Sequence, residues 1–206
     1  INKKMGLEKN PREIVAMPFS RSFGLTRVRC VLLLEGTILV SNGLINPAKF
    51  IKNIIDYKID GFGLVPSGIR ILFNFSKFLK PLVSKLKYIE LGSSYLDKSE
   101  KSNLQKLFPF TRIFMHYGLT EASRSTFLDF QDINHIDSVG KPLADVQIKI
   151  VDDNFNPTKP SVEGIIAVKS AWMSKGYLNF NKDINFRDGW LVTDDMGYLD
   201  SSGYLY

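Results

Sequence analysis

Residues His116-Tyr117-Gly118-Leu119-Thr120-Glu121 bring an aromatic ring, a bare backbone, a hydroxyl and a carboxylate into one short segment. That combination suits a nucleotide. Tyr117 offers a flat face to a base, and Gly118 lets the backbone approach a ligand closely. Thr120 offers a hydroxyl to a phosphate. Glu121 offers a hard oxygen to Mg²⁺, an ion that takes one or two protein carboxylates and fills its remaining positions with phosphate oxygens and water. Taken singly, each residue also has an ordinary structural role, Thr120 and Glu121 as a helix start and Tyr117 as core.

The elements around this segment alternate strand and helix. Glu13 to Pro18 reads as a buried strand, Leu25 to Leu34 as an apolar helix and Gly36 to Val40 as a second strand. Asn46-Pro47 opens a helix, a capping residue followed by proline at the first helical position, with Phe50, Ile51, Ile54 and Ile55 on its apolar face. Gly61 to Val65, Tyr88 to Leu91 and Arg112 to Met115 are further strands. Ile69 to Leu79 is predicted helical, and Asp97 caps a helix that buries Leu104 and Leu107. Short apolar strands in such alternation predict an α/β fold, a parallel sheet with helices on both faces, over residues 1–124. In open sheets of this kind ligands bind beyond the carboxyl ends of the strands. Here those ends are Phe19-Ser20-Arg21, Ser41-Asn42-Gly43, Pro66-Ser67-Gly68, Gly92-Ser93-Ser94 and His116-Tyr117-Gly118. From about residue 125 the pattern changes to alternating apolar and polar positions, as in Val146 to Ile150, with strands expected at Gly164 to Val168, Gly189 to Val192 and Gly203 to Tyr206. A small, mostly antiparallel β subdomain is expected over residues 125–206.

Composition excludes several classes. With 206 residues, 44% hydrophobic and 23% charged, the chain lies near the globular average. It should bury roughly 70% of its unfolded surface. No apolar run approaches the roughly 18 residues of a membrane span; the run from Cys30 stops at Glu35. The first residues are polar and basic, unlike a signal peptide. A single cysteine, Cys30, excludes an internal disulfide and fits a reducing, cytoplasmic setting. The net charge of +6 comes from scattered lysines without a dense basic run, so nucleic acid is not expected as a partner. The chain starts at Ile1 and stops at Tyr206 directly after a strand-like stretch, which reads as a piece of a longer protein.

Tyr117-Gly118-Leu119-Thr120-Glu121 resembles the Tyr-Gly-x-Thr-Glu motif of the adenylate-forming (AMP-dependent synthetase/ligase) superfamily, which includes acyl-CoA synthetases, luciferases and peptide-synthetase adenylation domains. Other matches follow in the family's order. Pro18 to Leu25 is similar to its Pro-Leu-x-His-x-x-Gly segment, and Leu91 to Leu96 to its Gly-Gly-Ala-Pro-Leu segment. Val139-Gly140-Lys141-Pro142 matches Val-Gly-x-Pro, Glu163-Gly164-Ile165 with Gly176-Tyr177 matches Gly-Glu-Ile…Gly-Tyr, and Gly189 to Gly197 resembles Gly-Trp-x-x-Thr-Gly-Asp-x-Gly.

The resemblance implies an acyl-CoA-synthetase-like ligase. ATP and a carboxylic acid would give an acyl-adenylate and pyrophosphate, and the acyl group would pass to a thiol, of CoA or of the phosphopantetheine on an acyl carrier protein. It implies that Gly92, Ser93 and Ser94 line the adenine pocket, with His116, Tyr117 and Gly118 near the base. Thr120 would contact the α-phosphate, Glu121 would hold Mg²⁺ and Asp195 would accept from the ribose hydroxyls. Thr120 and Glu121 are thus the catalytic candidates. The acyl group would meet Phe19, Arg21, Val65, Pro66 and Gly92.

The chain departs from the pattern in places. Arg21 stands where the family has His or an aromatic residue, which fits either an acidic or polar acyl group or an arginine turned to solvent. Asp194 replaces the Gly before the ribose Asp. The family's phosphate loop and carboxy-terminal domain are not found within the sequence, so the piece alone is expected to be a poor catalyst. The alternative reading is a non-catalytic nucleotide- or acyl-binding module on the same scaffold.

Overall fold

Four-residue strands alternating with helices assemble into a parallel sheet in the first part of the chain. The computed structural model describes residues 1–178 and 185–206. It divides into two units, Ile1–Met115 with Asp129–Ile133, and His116–Leu128 with Asn134–Tyr206. The break falls at Met115 rather than near residue 124, because the segment after Met115 sends Ala122 into the core of the second unit.

In the first unit the strands are β1 (Arg12–Val15), β2 (Thr37–Val40), β3 (Gly61–Leu64), β4 (Tyr88–Leu91) and β5 (Arg112–Met115), in the order β2-β1-β3-β4-β5 and all parallel. The helices are α1 (Asn2–Met5), α2 (Ser22–Leu32), α3 (Pro47–Asp56), α4 (Pro66–Asn74), α5 (Ser76–Leu79) and α6 (Lys98–Leu107). Chain direction reverses once. β1 leads outward to β2, and the next crossover returns past β1 to β3. With right-handed crossovers, that reversal puts α2 and α3 on opposite faces. The side chains agree. Arg27 of α2 bonds Glu13 and Glu90 on one face, whereas Phe50 of α3 packs edge-on at 5.5 Å against Phe62, which alternation turns to the other.

Local chemistry sets the helix ends. Asn46 accepts a hydrogen bond from the Lys49 amide with Pro47 at the first helical position, and α3 buries Phe50, Ile51 and Ile54, each contributing roughly 1.5–3 kcal/mol, while Ile55 is half-buried. Asp97 accepts from the Glu100 amide and the Glu100 side chain accepts from the Asp97 amide, a reciprocal cap on α6. Leu104 is buried as expected, whereas Leu107 is half-buried. The helix expected from Ile69 to Leu79 starts earlier, at Pro66, and breaks at Phe75 into α4 and α5.

In the second unit β6 (Gly118–Leu119) and β7 (Ser123–Arg124) form a tight hairpin. β8 (Thr126–Asp129, its last residue in the first unit) pairs antiparallel with β9 (Lys141–Pro142). β10 (Val146–Val151), β11 (Gly164–Ser170), β12 (Phe186–Arg187) and β13 (Trp190–Gly197) form an antiparallel sheet in the order β10-β11-β13-β12. Its core is Val146, Ile150, Ile166, Val168 and Leu191, with Ala122 and Leu205. The strand expected at Gly203 to Tyr206 does not form. Leu205 makes only isolated bridges to Gly140 and Leu199, because the Asp200 carboxylate holds Ser202 and Tyr204 amides in a turn.

Candidate functional site

In the second unit, the hairpin from Tyr117 to Thr126 is tied at its base. The Tyr117 carbonyl accepts from the amides of Ser125 and Thr126 at 2.8 and 3.1 Å, and the Thr126 hydroxyl donates to the Val139 carbonyl at 2.6 Å. Thr120, Glu121 and Ala122 form the turn at its tip, so the helix start that Thr120 and Glu121 could have made does not occur. Ala122 is fully buried and packs in the core beneath, while Thr120 is exposed and Glu121 half-buried. The turn therefore has a buried anchor flanked by polar groups that face outward. Glycine is required at 118 because an added Cβ would lie 1.8 Å from the Ser123 carbonyl oxygen. The backbone that comes close at Gly118 is the chain's own.

Asp195 reaches this hairpin through an irregularity in β13. Ile165 pairs with Met196 but Ala167 pairs with Val192, so β13 carries a bulge at Thr193, Asp194 and Asp195. The Thr193 hydroxyl pins it, donating to the Ile166 carbonyl at 2.8 Å and accepting from the Asp195 amide at 3.1 Å. Asp195 then accepts a hydrogen bond from the Tyr117 hydroxyl at 2.8 Å. Burial pushes the Tyr117 hydroxyl well above the usual phenol range, and its bond to Asp195 pushes it further, so it stays a donor at neutral pH. Asp194 does not adopt a left-handed backbone, so the glycine of the family pattern is not needed there.

Glu121 has a partner that sequence reasoning did not assign. The Tyr177 hydroxyl donates to Glu121 Oε1 at 2.9 Å, and the Ser174 amide donates to the Glu121 carbonyl at 2.6 Å. Burial and the bond to Glu121 both raise the Tyr177 hydroxyl. The Gly176-Tyr177 match placed this residue in a motif, but a bond between residues so distant in sequence has no local signal. Among the described residues no group of three or more His, Cys, Asp or Glu side chains is placed to hold a metal. A lone carboxylate at a hairpin tip fits Mg²⁺, which draws most of its oxygens from phosphate and water, better than an ion needing an all-protein shell. His116 is buried, with its ring stacked against Phe127 at 6.5 Å.

In the first unit, the remaining candidates occupy the carboxyl ends of neighbouring strands. Phe19 and Arg21 lie on the exposed loop between β1 and α2, with Arg21 at the helix N-cap. Val65 is the N-cap of α4 and half-buried, and Pro66 is buried at its first position. These two loops flank the reversal point between β1 and β3, where open α/β sheets leave a crevice. Gly92 is buried just past β4, while Ser93 and Ser94 are exposed; Ser93 has φ 73°, a left-handed conformation that favours glycine.

Comparisons with known proteins bear on the family and the fold. The family described as AMP-binding enzyme matches residues 1–178. The 2-succinylbenzoate–CoA ligase of Oceanobacillus iheyensis is 41% identical over 99 residues, 46% of this chain and 20% of that protein. The Bacillus licheniformis ligase of the same name is 27% identical over 212 residues, covering 98% of this chain and 42% of that one. The 4-coumarate–CoA ligase-like 6 of Arabidopsis thaliana is 27% identical, covering 94% and 35%. Among solved structures, o-succinylbenzoate CoA synthetase of Bacillus subtilis in complex with its acyl-adenylate intermediate aligns with a TM-score of 0.88 at 24% identity, over 100% of this chain and 42% of that one. At that identity the likeness bears on the fold, which is the α/β sheet with an antiparallel β subdomain described above. The chain spans less than half the length of these relatives.

Proposed function

The chain belongs to the AMP-binding enzyme family, and from that premise we propose that it carries the nucleotide- and acyl-binding part of an AMP-forming acid–thiol ligase. One observation carries the reading: Tyr117 and Asp195, far apart in sequence, meet at 2.8 Å beside the turn that bears Thr120 and Glu121. What supports it is that an aromatic ring, two carboxylates and a hydroxyl, the types that would serve a base, a ribose, a cation and a phosphate, share one unit.

In the proposed reaction an oxygen of the substrate carboxylate forms a bond to the α-phosphorus of ATP. The bond from that phosphorus to the bridging oxygen breaks, and pyrophosphate leaves with the electron pair. Thr120 would donate to an α-phosphate oxygen, and Glu121, with Oε1 held by Tyr177, would offer Oε2 to the metal. When bound, Mg²⁺ supplies charge neutralisation for the phosphates. Asp195 Oδ2 is held by Tyr117, which leaves the other oxygen to accept from the ribose hydroxyls. These residues position and neutralise rather than form covalent bonds, as suits phosphoryl chemistry. A thiol sulfur then bonds to the acyl carbon and its proton passes to solvent, while the bond from that carbon to the phosphate oxygen breaks and AMP leaves with the electron pair; CoA is the first acceptor to test and a carrier-protein phosphopantetheine the second. The reaction would run in the cytoplasm, where ATP and CoA are at hand. Of the relatives named above, two act, by name, on 2-succinylbenzoate and a third is named for its likeness to a 4-coumarate–CoA ligase, so an aryl-bearing acid heads the substrate panel.

The test is AMP binding by this chain in titration calorimetry, together with ATP–pyrophosphate exchange by the full-length parent across a panel of aryl and alkyl acids, with and without CoA. Saturable AMP binding and acid-dependent exchange are expected of a ligase that retains this part. AMP binding with no exchange for any acid would favour the non-catalytic module, and no AMP binding would refute both.

A further inference from the structure

Behind the candidate loops of the first unit lies a fully buried cluster of charge that the proposed chemistry does not use. Arg27, Glu13 and Glu90 each have 0% exposure. The Arg27 guanidinium donates from Nε to Glu13 Oε1 at 2.8 Å, from Nη2 to Glu13 Oε2, and from Nη1 to Glu90 Oε2 at 2.8 Å. The Tyr88 hydroxyl donates to Glu13 Oε2 at 2.7 Å. Burial pushes the Arg27 guanidinium down and the two carboxylates raise it by more, so it is charged in the fold.

The sheet is shaped around this cluster. Between β1 and β4, strand β3 presents Gly61 and Gly63 on the same face. A Cβ at Gly61 would lie 2.5 Å from the Tyr88 ring, and one at Gly63 would lie 3.2 Å from the Phe23 ring and 3.3 Å from the Arg27 side chain. Two glycines in a central strand cost it packing and chain entropy. Replacing a buried ion triad with apolar groups of like volume is often neutral or stabilising. Stability alone therefore gives a poor account of the cluster.

Its position gives a better one. One turn before Arg27, Gly24 lies so close to the preceding loop that a Cβ would be 2.3 Å from the Pro18 carbonyl oxygen and 2.7 Å from that of Met17. The Arg21 amide also donates to the Pro18 carbonyl at 3.1 Å. The loop bearing Phe19 and Arg21 is thus pressed onto the start of α2, and α2 is bolted through Arg27 to Glu90. Only Leu91 separates Glu90 from Gly92.

We propose that Arg27 is a positioning residue that fixes the distance between the Met17–Arg21 loop and the Gly92–Ser94 loop, and so sets the span available to an acyl-adenylate. This inference rests on the reading of those loops as acyl- and adenine-lining. AMP reaches only the adenine loop, whereas an acyl-adenylate reaches both, so the two ligands separate positioning from general support of the fold.

The experiment compares AMP with acyl sulfamoyl adenosines bearing acetyl, octanoyl and benzoyl groups, by titration calorimetry. The protein is tested unaltered and as the triple variant Glu13→Gln, Arg27→Met, Glu90→Gln, which removes all three charges at nearly constant volume. The expected result is AMP affinity within twofold of the unaltered protein and at least a tenfold loss for the best-bound analogue. Equal retention of both ligands, or a parallel loss of both, would overturn the inference. Should the triple variant fail to fold, Arg27→Lys keeps the charge without the two-pronged geometry, and the same selective loss is expected of it. Unaltered protein that binds no AMP would overturn the underlying reading and this inference with it. Unaltered protein that binds AMP but gains nothing from any acyl group would overturn the inference alone.

Discussion

Replacing Gly118 by alanine tests whether the hairpin that presents Thr120 and Glu121 is built by contact between its own strands. On the existing backbone the new Cβ would lie 1.8 Å from the Ser123 carbonyl oxygen and 3.0 Å from the Arg124 Cα. Ordinary contact begins near 3.4 Å, so β6 and β7 would have to part by about 1.6 Å. The obstacle is backbone and cannot swing aside as a flexible side chain would. Parting the strands breaks the Gly118–Arg124 and Leu119–Ser123 pairing and draws Ala122 from the core. Each lost hydrogen bond is worth about 0.5–1.5 kcal/mol net, and with the disturbed packing the second unit should lose about 2–4 kcal/mol. Gly203→Ala is the control: Gly203 has φ 81° with nothing within 4 Å, so only left-handed strain of about 1–2 kcal/mol is added. Urea denaturation followed by tryptophan fluorescence reads this unit directly, because Trp172 and Trp190 both lie in it. AMP affinity, measured alongside, should fall at least tenfold in Gly118→Ala and stay within twofold in Gly203→Ala. If Gly118→Ala proves no more harmful than Gly203→Ala, the hairpin relaxes freely and the close-contact reasoning is wrong.

Three further outcomes are expected. Asp195→Ala should weaken AMP binding about 10- to 100-fold, the scale of hydrogen bonds to a charged acceptor, and unchanged affinity in calorimetry would remove Asp195 from the ribose site. Tyr117 has a folded pKa above the unfolded value of about 10, so the stability it carries is complete below pH ~10 and is lost as pH rises through the folded value. Denaturation midpoints from pH 8 to 11 should thus fall less steeply in Tyr117→Phe, and an ultraviolet titration placing Tyr117 at or below pH ~10 would contradict this. Ser93→Gly should stabilise the first unit by about 0.5–1 kcal/mol, because relief of a left-handed serine exceeds the entropy cost of glycine; a lower midpoint by circular dichroism would refute that.

What could be read from the sequence was what is decided locally. Tyr88–Leu91 and Arg112–Met115 occur at the expected residues because short, mainly apolar segments between helical stretches have few other places to go in a parallel sheet. The Asn46 and Asp97 caps were legible because capping acts over three residues. Errors arose where tertiary contact overrode local preference. The apolar residues marked α2 from Leu25, yet the helix starts at Ser22, where the chain leaves the Pro18 turn. The helix start that was the alternative reading of Thr120 and Glu121 does not form either, because burial of Ala122 selects a hairpin turn. For the site, residue types pointed to Tyr117 and Glu121 and the family resemblance to Asp195, while Tyr177 gained a role only from its bond to Glu121, 56 residues further along the chain. The Arg27 cluster was not legible at all, since a buried arginine and a surface one look alike until the helix face is known.

The candidate residues of both units occupy interruptions of regular pairing. Asp195 lies on a bulge, Thr120 and Glu121 on a two-strand hairpin tip, and Ser93 at a left-handed residue just past β4. A saturated ladder uses its amides and carbonyls on its neighbours and has none to spare for a ligand. A bulge or turn frees those groups, at a local cost that the surrounding structure must carry. Here the support is identifiable: the Thr193 hydroxyl beneath the bulge, Ala122 beneath the hairpin and Arg27 behind the Gly92 loop. Each supporting residue is buried beneath or behind the polar group it serves. Substituting a supporting residue should therefore alter ligand affinity without touching the ligand, whereas substituting an equally buried residue of the regular ladder, such as Ile14, should alter stability alone.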